Sequence, residues 1–126
     1  MMIISFAWTT DAFKAGRKNV TRRTWTPAYA KKIKPRQICK AYDKQPRFGG
    51  KQIGIIKILS KTWEDILTML DEDYENEGFK YMEEQGKKIW NKHPRQAFEE
   101  WREAGGWYWV VRFDILLIGL KIANFG

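Results

Sequence analysis

The segment Ile53-Gly54-Ile55-Ile56-Lys57-Ile58-Leu59 is nearly continuously apolar. A short apolar run bounded by turn residues is typical of a strand that lies at the centre of a sheet and is covered on both faces. The preceding segment, Gln37–Asp43, is also β-prone, and Gln45–Gly50 between the two has the proline and glycine content of a wide hairpin loop. We therefore predict two paired strands, over residues 37–43 and 52–60.

The first third of the chain predicts further strands around a short helix. Met2–Trp8 is rich in β-branched and aromatic residues, as strands are. Side-chain oxygens able to cap a helix precede Ala12–Ala15, and Gly16 supplies the C-terminal stop. Val20–Trp25 is β-prone again, and the lysine-rich stretch Thr26–Pro35 is expected to form a loop.

The second half of the chain predicts helices followed by one more strand. Thr62–Asp65 resembles a capping box, so helical segments are expected from there to the Gly105-Gly106 pair. Pro94 suits the first turn of the last helix, and Trp107–Phe113 is expected to be a strand. This order of elements predicts a single α+β domain over residues 1–126, with a mostly antiparallel sheet or small barrel covered by helices.

Charge is distributed very unevenly along the chain. The net charge is +8, but residues 1–61 contain 15 Lys and Arg against only Asp11 and Asp43, which makes that half +13 and the remainder −5. A positive face contributed by the first half is therefore expected, and phosphate-bearing partners such as RNA or DNA are its commonest physical reason. A solvated basic surface without a partner is the alternative.

Several classes of protein are excluded by what the sequence lacks. The longest apolar candidate for a membrane span, Ile115–Ile122, is far shorter than the roughly 20 residues required and contains a glycine and a lysine. The N-terminus has no basic stretch of the signal-peptide kind. The single cysteine, Cys39, alternates with polar neighbours and is expected in the core, and no spacing predicts a metal or a cofactor. A cytoplasmic protein without a membrane partner is expected.

The densest polar cluster runs from Gly16 to Arg23 and contains a lysine and a threonine three residues apart. The Thr21 hydroxyl becomes a nucleophile only if a base takes its proton, and Lys18 can do so only if burial or a neighbouring cation lowers its pKa. On a flat strand the two side chains would face opposite sides. The chemistry therefore needs a bend, for which Gly16 is suited, and a solvated basic turn is the alternative.

The same cluster resembles the signature Gly-(x)-Lys-x-x-Thr-x-Arg of the activating signal cointegrator homology (ASCH) family. The resemblance extends over nearly the whole chain, because the other motifs of that family follow in order. They are Ser5-Phe6, the Lys18/Thr21/Arg23 set, Asp71–Phe79, Trp101 and Val111–Phe113. One departure is visible: Arg36-Gln37 stands where the family usually has Gly-Asp before its next strand.

This resemblance implies a PUA-like barrel with a cleft that binds nucleic acid or a nucleoside. One bacterial branch of the family hydrolyses the acetyl amide of N4-acetylcytidine with a lysine, a threonine and a glutamate. Carried over, these become Lys18, Thr21 and Glu77, with Glu75 as the fallback for the acid. Glu77 would then protonate the departing amine or hold Lys18, whereas the alternative is that it belongs to a solvated acidic helix face.

The aromatic and basic residues around this cluster form a candidate binding set. Trp8 and Trp25 each end a predicted strand beside it, and together with Phe6 they could stack a nucleobase, with core packing as the alternative. The remaining tryptophans are expected to be core. The candidate ligand-binding residues are therefore Phe6, Trp8, Arg17, Arg22, Arg23 and Trp25.

Three functions follow from these patterns. The first is an amidohydrolase that acts on N4-acylated cytidine or a similar modified nucleoside. The second is a non-catalytic RNA- or DNA-binding module. The third, a single-stranded ribonuclease, has no pair of histidines to support it, because the chain contains only His93, and the position of His93 before Pro94 favours a turn or cap.

Overall fold

The computed structural model describes residues 1–119 and has an α+β architecture, as predicted. Its five strands form one mixed sheet with the order β1-β3-β4-β5-β2, in which only the β1–β3 pair is parallel. The strands are β1 (Ile3–Ser5), β2 (Val20–Arg23), β3 (Ile38–Tyr42), β4 (Gln52–Asp65) and β5 (Trp107–Ile118).

Within residues 1–119, five α-helices connect and cover these strands. They are α1 (Thr10–Lys14), α2 (Pro27–Ala30), α3 (Asp73–Asn76), α4 (Phe79–Glu84) and α5 (Pro94–Ala104). Helix α2 is a single turn inside the segment predicted to be a loop, and Thr26 caps it by accepting a hydrogen bond from the backbone N–H of Tyr29. Helix α5 begins with Pro94 and is followed by Gly105, as predicted.

The apolar segment that predicted the sheet does lie at its centre, because β4 is the third of the five strands. The prediction that it is covered on both faces is wrong. Ile56 and Ile58 are buried, whereas Ile55 and Lys57 are half-buried and Leu59 is exposed. The sheet thus presents one well-covered face along β4, and the other face is only partly covered.

The helix predicted to start at Thr62 is also absent, because β4 continues to Asp65. Backbone pairing with β5 decides this, since Thr62 pairs with Val110 and Asp65 with Trp107 in a long antiparallel strand pair. Asp65 does act as a helix cap, but for a short 3₁₀ turn over Ile66–Thr68, where its side chain accepts from Leu67 N–H. Long-range pairing therefore overrides a local capping pattern.

Two apolar cores flank the sheet. The first contains Phe6 and Phe13 from the β1–α1 region packed on β3, β4 and β5, and Cys39 is buried within it, as predicted. The second lies among the 3₁₀ turn at Ile66–Thr68 and the helices α3, α4 and α5, around Phe79 and Phe98.

The sheet curls so that its two edge strands approach each other. Arg23, at the end of β2, donates a hydrogen bond from Nη2 to the backbone oxygen of Ser5, at the end of β1. Register shifts in β4 at Ile55/Ile56 and at Ile58/Ser60 increase the local bend. The curl brings the last residues of β1 and β2 to a common rim.

The prediction that most tryptophans are core is wrong for three of them. Trp63, Trp107 and Trp90 are each about half exposed, at 48%, 53% and 52%. Trp63 and Trp107 lie where the paired strands β4 and β5 end, and their rings stack with 6.0 Å between centroids. This end reaches past β2, whose pairing with β5 stops at the Arg23–Trp109 pair.

Within residues 1–119, no helix combines the length and the apolar character needed to cross a bilayer. The apolar run Ile115–Ile122 considered above falls partly outside the described residues. Its first part, as far as Ile118, belongs to β5.

The close packing of β4 against its neighbours gives a test of this fold. A Cβ at Gly54 would lie 2.3 Å from the backbone oxygen of Leu117 and 2.8 Å from Cε1 of Phe13. Gly54→Ala is therefore expected to lower the free energy of unfolding by about 1–3 kcal/mol in urea titrations, as overpacking does. Gly86→Ala, which adds a Cβ in open space at a φ of 67°, should cost less; an equal loss would contradict the tight β4–β5 contact.

Candidate active site

Gly16 turns the chain so that Lys18 enters the interior. Its φ of 73° lies in the left-handed region, and backbone hydrogen bonds from Gly16 N to Phe13 O and from Arg17 N to Ala12 O close the end of α1. Asn19 N then donates to Asn76 O at 2.9 Å, which fixes the segment against α3 immediately before β2 begins. The Lys18 side chain between these two anchor points is only 1% exposed.

Lys18 and Thr21 line the same cavity, which has a volume of about 300 Å³. Its walls come from the end of β1 and the turn after it, from β2, from the C-terminal end of α3, and from two tryptophans of the helical region. The lining residues are Ser5, Phe6, Ala7, Trp8, Thr9, Lys18, Thr21, Arg22, Arg23, Glu77, Trp90 and Trp101.

The ammonium group of Lys18 is held by Glu77 alone among its described hydrogen-bond partners. Nζ donates to Glu77 Oε1 at 3.0 Å and to the backbone oxygen of Glu77 at 2.9 Å. Burial lowers the pKa of Lys18 below its ordinary value of 10.5, and the positive charges of Arg23 and Arg22 lower it further, while the Glu77 carboxylate opposes them. The lowered pKa is what a lysine needs to serve as a base.

Glu77 is the first of two buried carboxylates that Arg22 joins. Its second oxygen, Oε2, accepts from Arg22 Nη1 at 2.8 Å, and Arg22 Nη2 donates to Asp73 Oδ2 at 2.7 Å. Asp73 also accepts two hydrogen bonds at 3.0 Å from Arg112 of β5. A continuous chain of alternating charges therefore runs from Lys18 to Arg112, and only its Arg112 end has an exposed side chain, at 39%.

Thr21 lies on the opposite face of β2 from Arg22 and is paired with Val111. Its Oγ1 accepts a hydrogen bond from Arg23 Nε at 3.0 Å. Both Thr21 and Arg23 therefore face the rim where β1 and β2 approach. Among the described hydrogen bonds none joins Thr21 Oγ1 to Lys18 Nζ, so the two groups share a cavity without a direct bond.

Aromatic side chains form the rest of the cavity wall. The buried Phe6 ring lies 5.9 Å from Lys18 Nζ and 5.8 Å from the Arg23 guanidinium carbon. Trp8 and Trp90 are 41% and 52% exposed and meet edge to face, with centroids 5.9 Å apart. Indole rings left this open beside a polar cavity suit the stacking of a planar ligand.

Trp90 and Trp101 are cavity residues that sequence reasoning assigned to the core. Trp90 has a φ of 51° and Asn91 one of 63°, between reciprocal backbone hydrogen bonds of Ile89 and Lys92. Positive φ is unfavourable for a bulky residue, and such strain is often found at functional sites. The sequence around Trp90 and Asn91 lacks the Asn-Gly pattern that usually indicates such a turn, so neither the turn nor the placement of Trp90 in the cavity wall was predicted.

The structure does not bring every predicted residue to the cavity. Arg17 pairs with Glu75 and Glu84 on the outside of the helices, which also removes Glu75 as the acid of the site. Trp25 lies beside Tyr29 in a separate depression. The other predicted ligand contacts, Phe6, Trp8, Arg22 and Arg23, and the three predicted catalytic residues, Lys18, Thr21 and Glu77, all line the cavity.

His93 is a helix cap, in agreement with its sequence position. Its Nδ1 accepts a hydrogen bond from the backbone N–H of Arg95 at the start of α5. It is not among the residues that line the cavity, so the cavity chemistry depends on the lysine, threonine, arginine and carboxylate groups.

Comparisons with known proteins bear on the fold. No protein-family model and no curated relative matches the sequence. Among solved structures, the chain is similar to the crystal structure of protein EF3133 from Enterococcus faecalis V583, which carries the family label DUF984. The TM-score is 0.55 at 13% sequence identity, over 90% of this chain and 75% of that one. At this identity the likeness concerns the fold alone.

The buried Lys18–Glu77 pair predicts a pH-dependent loss of stability when it is broken. Glu77→Gln leaves Lys18 buried without a counter-charge, which should cost about 3–5 kcal/mol near neutral pH. Because the pKa of Lys18 is lowered on folding, the unfolded chain binds the extra proton, and the free energy of unfolding of this variant should rise as the pH increases toward 10.

Chemical denaturation between pH 6 and 10 measures this effect. Glu84→Gln is the matched control, because Glu84 is exposed and pairs with Arg17 at the surface, and this variant should lose less than about 1 kcal/mol of stability. A Glu77→Gln variant as stable as that control would contradict the buried pair.

Proposed function

We propose that this protein is an amidohydrolase that removes the acyl group from an N4-acylated cytidine. The observation that carries the proposal is the convergence of a buried lysine–glutamate pair and a threonine hydroxyl on one aromatic-walled cavity. Lys18, Thr21 and Glu77 are the residues that resemblance to the ASCH family assigns to this reaction. The cavity, at about 300 Å³, is at the lower end of the range for small-molecule sites.

In the proposed reaction, neutral Lys18 takes the proton of Thr21 as its Oγ1 attacks the acyl carbonyl. The bond from the carbonyl carbon to N4 then breaks, and the amine leaves with the proton that Lys18 had accepted. Water hydrolyses the resulting threonine ester, which releases the carboxylic acid and restores the hydroxyl. The Arg23 guanidinium, which already donates to Thr21 Oγ1, lies where it can stabilise the negative charge on the carbonyl oxygen.

The contacts of Glu77 support one of the two roles considered for it. Each of its carboxylate oxygens accepts a hydrogen bond from a cation, Oε1 from Lys18 and Oε2 from Arg22. Glu77 therefore suits the role of holding Lys18 better than that of protonating the amine. Because none of the described hydrogen bonds joins Lys18 Nζ to Thr21 Oγ1, the first proton transfer requires Lys18 to move toward Thr21.

The proposal also includes a specific fold type for the sheet. We infer that the curled sheet is a PUA-like barrel of the ASCH type, and the hydrogen bond from Arg23 to Ser5 supports closure between the edge strands β2 and β1. The five-stranded mixed sheet and the helices that cover it are compatible with this architecture.

A second observation favours nucleic acid as a partner. A depression of about 530 Å³ is lined by Trp25, Tyr29 and Arg47 together with Gln45 and Pro46, all from the basic half of the chain. Lys32 Nζ lies 6.0 Å from the Tyr29 ring centroid. Aromatic faces next to cations are the groups that bind single-stranded nucleic acid, so an RNA- or DNA-binding module is the alternative function.

Incubation of the protein with N4-acetylcytidine, followed by chromatography of released cytidine, tests the proposed activity. Thr21→Ala removes the nucleophile and should abolish turnover, while circular dichroism shows that the fold survives. Thr24→Ala is the matched control, because Thr24 is exposed just beyond β2, and it should retain full activity. Turnover by Thr21→Ala at the wild-type rate would end the proposal.

Fluorescence polarisation with a labelled single-stranded RNA tests the alternative. If the basic depression binds the strand, affinity should fall steeply as salt rises from 50 to 200 mM, because phosphate contacts release counterions. Arg47→Ala should weaken binding several-fold and reduce the salt slope by about one, whereas Arg102→Ala, at the distant α5, should not. Binding that is insensitive to salt and to Arg47→Ala would argue against this function.

A further inference from the structure

Arg22 joins two carboxylates that lie one helical turn apart. Asp73 opens α3 and Glu77 follows its last residue, and the backbone N–H of Glu77 donates to Asp73 O at 2.9 Å, which places both side chains on one face. The Arg22 guanidinium contacts both, with Nη2 on Asp73 and Nη1 on Glu77. Its planar fork matches this spacing, which a lysine ammonium would not.

The arrangement is poorly explained by stability alone. Arg22, Asp73, Glu77 and Lys18 are all buried, and Arg22 Nε has no hydrogen-bond partner among the described atoms. A buried polar group without a partner costs free energy, and buried ion pairs are often no more stabilising than apolar residues of the same volume. A functional reason for Arg22 is therefore worth testing.

We propose that Arg22 is a positioning residue. Arg22 is anchored on Asp73 and holds Glu77 Oε2, so that Glu77 Oε1 stays directed at Lys18. The charge of the Glu77 carboxylate is then shared between two cations, Lys18 and Arg22. Without Arg22, the full charge of Glu77 would fall on Lys18 and keep it protonated. With Arg22, Lys18 gives up its proton more readily. The catalytic meaning of this inference rests on the proposed function, but the electrostatic effect on Lys18 does not.

Arg112 completes the arrangement from the sheet. It holds both oxygens of Asp73 from β5, so the Asp73 charge is itself divided between two guanidinium groups. The charged groups that face Lys18 directly are Glu77 from α3 and Arg22 and Arg23 from β2. Asp73 contacts Arg22 and Arg112, and none of the described hydrogen bonds joins Asp73 or Arg112 to Lys18.

Removing a cation and removing an anion near Lys18 should shift its pKa in opposite directions, and structural damage would not produce this difference. Arg22→Met takes away a cation and should raise the pKa of Lys18 by about one unit, whereas Asp73→Asn takes away an anion and should lower it by a similar amount. The pKa is measured on the whole chain by NMR titration of lysines labelled with ¹³C at Cε. Lys18→Arg identifies the Lys18 signal by its absence.

Two further variants keep the test decisive. Arg17→Met removes a neighbouring arginine that pairs at the surface with Glu75 and Glu84, and it should leave the pKa of Lys18 unchanged. Arg22→Lys keeps the charge but cannot span both carboxylates, so its shift should be upward and smaller than that of Arg22→Met. It replaces Arg22→Met if that variant does not fold. The inference would be overturned if the Lys18 pKa shifted no more in the Arg22 variants than in Arg17→Met. It would also be overturned if the pKa shifted in the same direction in the Arg22 variants as in Asp73→Asn.

The same variants separate this inference from the proposed function. If Lys18 is the base, the acid limb of the pH profile of kcat/KM for N4-acetylcytidine should move with the Lys18 pKa, upward in Arg22→Met and downward in Asp73→Asn. A wild-type protein without turnover but with opposite NMR shifts would refute the amidohydrolase and leave the role of Arg22 intact. Turnover in which neither the Lys18 pKa nor the pH profile moves in the variants would refute the role of Arg22 alone, and shifted pKa values with unmoved pH profiles would refute Lys18 as the base.

Discussion

The buried contact between Lys18 and Glu77 is the constraint on which the cavity depends. A lysine ammonium 1% exposed can remain in the interior only with a counter-charge or without its proton. Glu77 supplies that counter-charge through its side chain and a second acceptor through its backbone oxygen. Because Lys18 precedes β2 and Glu77 follows α3, this one contact ties the edge of the sheet to the helical region.

The position of the cavity follows from how the sheet ends. Among residues 1–119, strand β2 pairs with β5 alone and lies at an edge of the sheet, and the curl of the sheet brings that edge toward the end of β1. Thr21 and Arg23 line the cavity together with Lys18 and Arg22, and these last two also contact Glu77 at the end of α3. Aromatic rings, Phe6 and three tryptophans, form the rest of the lining, so polar groups and a stacking surface adjoin.

Local patterns predicted the elements well where pairing partners agreed with them. The apolar run at Ile53–Leu59 is the centre of the sheet, and Pro94 begins the last helix. Local patterns failed where pairing with a distant strand overrode them. The capping pattern at Thr62–Asp65 predicted a helix, but these residues extend β4 and pair with β5. The exposure of Trp63 depends on how far the paired strands β4 and β5 extend past the end of β2, which no local spacing encodes.

For the site, the sequence by itself determined which groups are available: Lys18 and Thr21 three residues apart after a glycine, and an acidic helix later in the chain. The family resemblance favoured Glu77 with Glu75 as the fallback, and the tertiary structure gives the physical reason. Two residues on a helix differ in direction by about 200°, and here Glu77 is directed inward and Glu75 toward Arg17. The tertiary structure likewise buries Arg22. Which way a side chain faces depends on how its helix or strand packs against the rest of the protein, and that packing is decided by contacts between parts of the chain far apart in sequence.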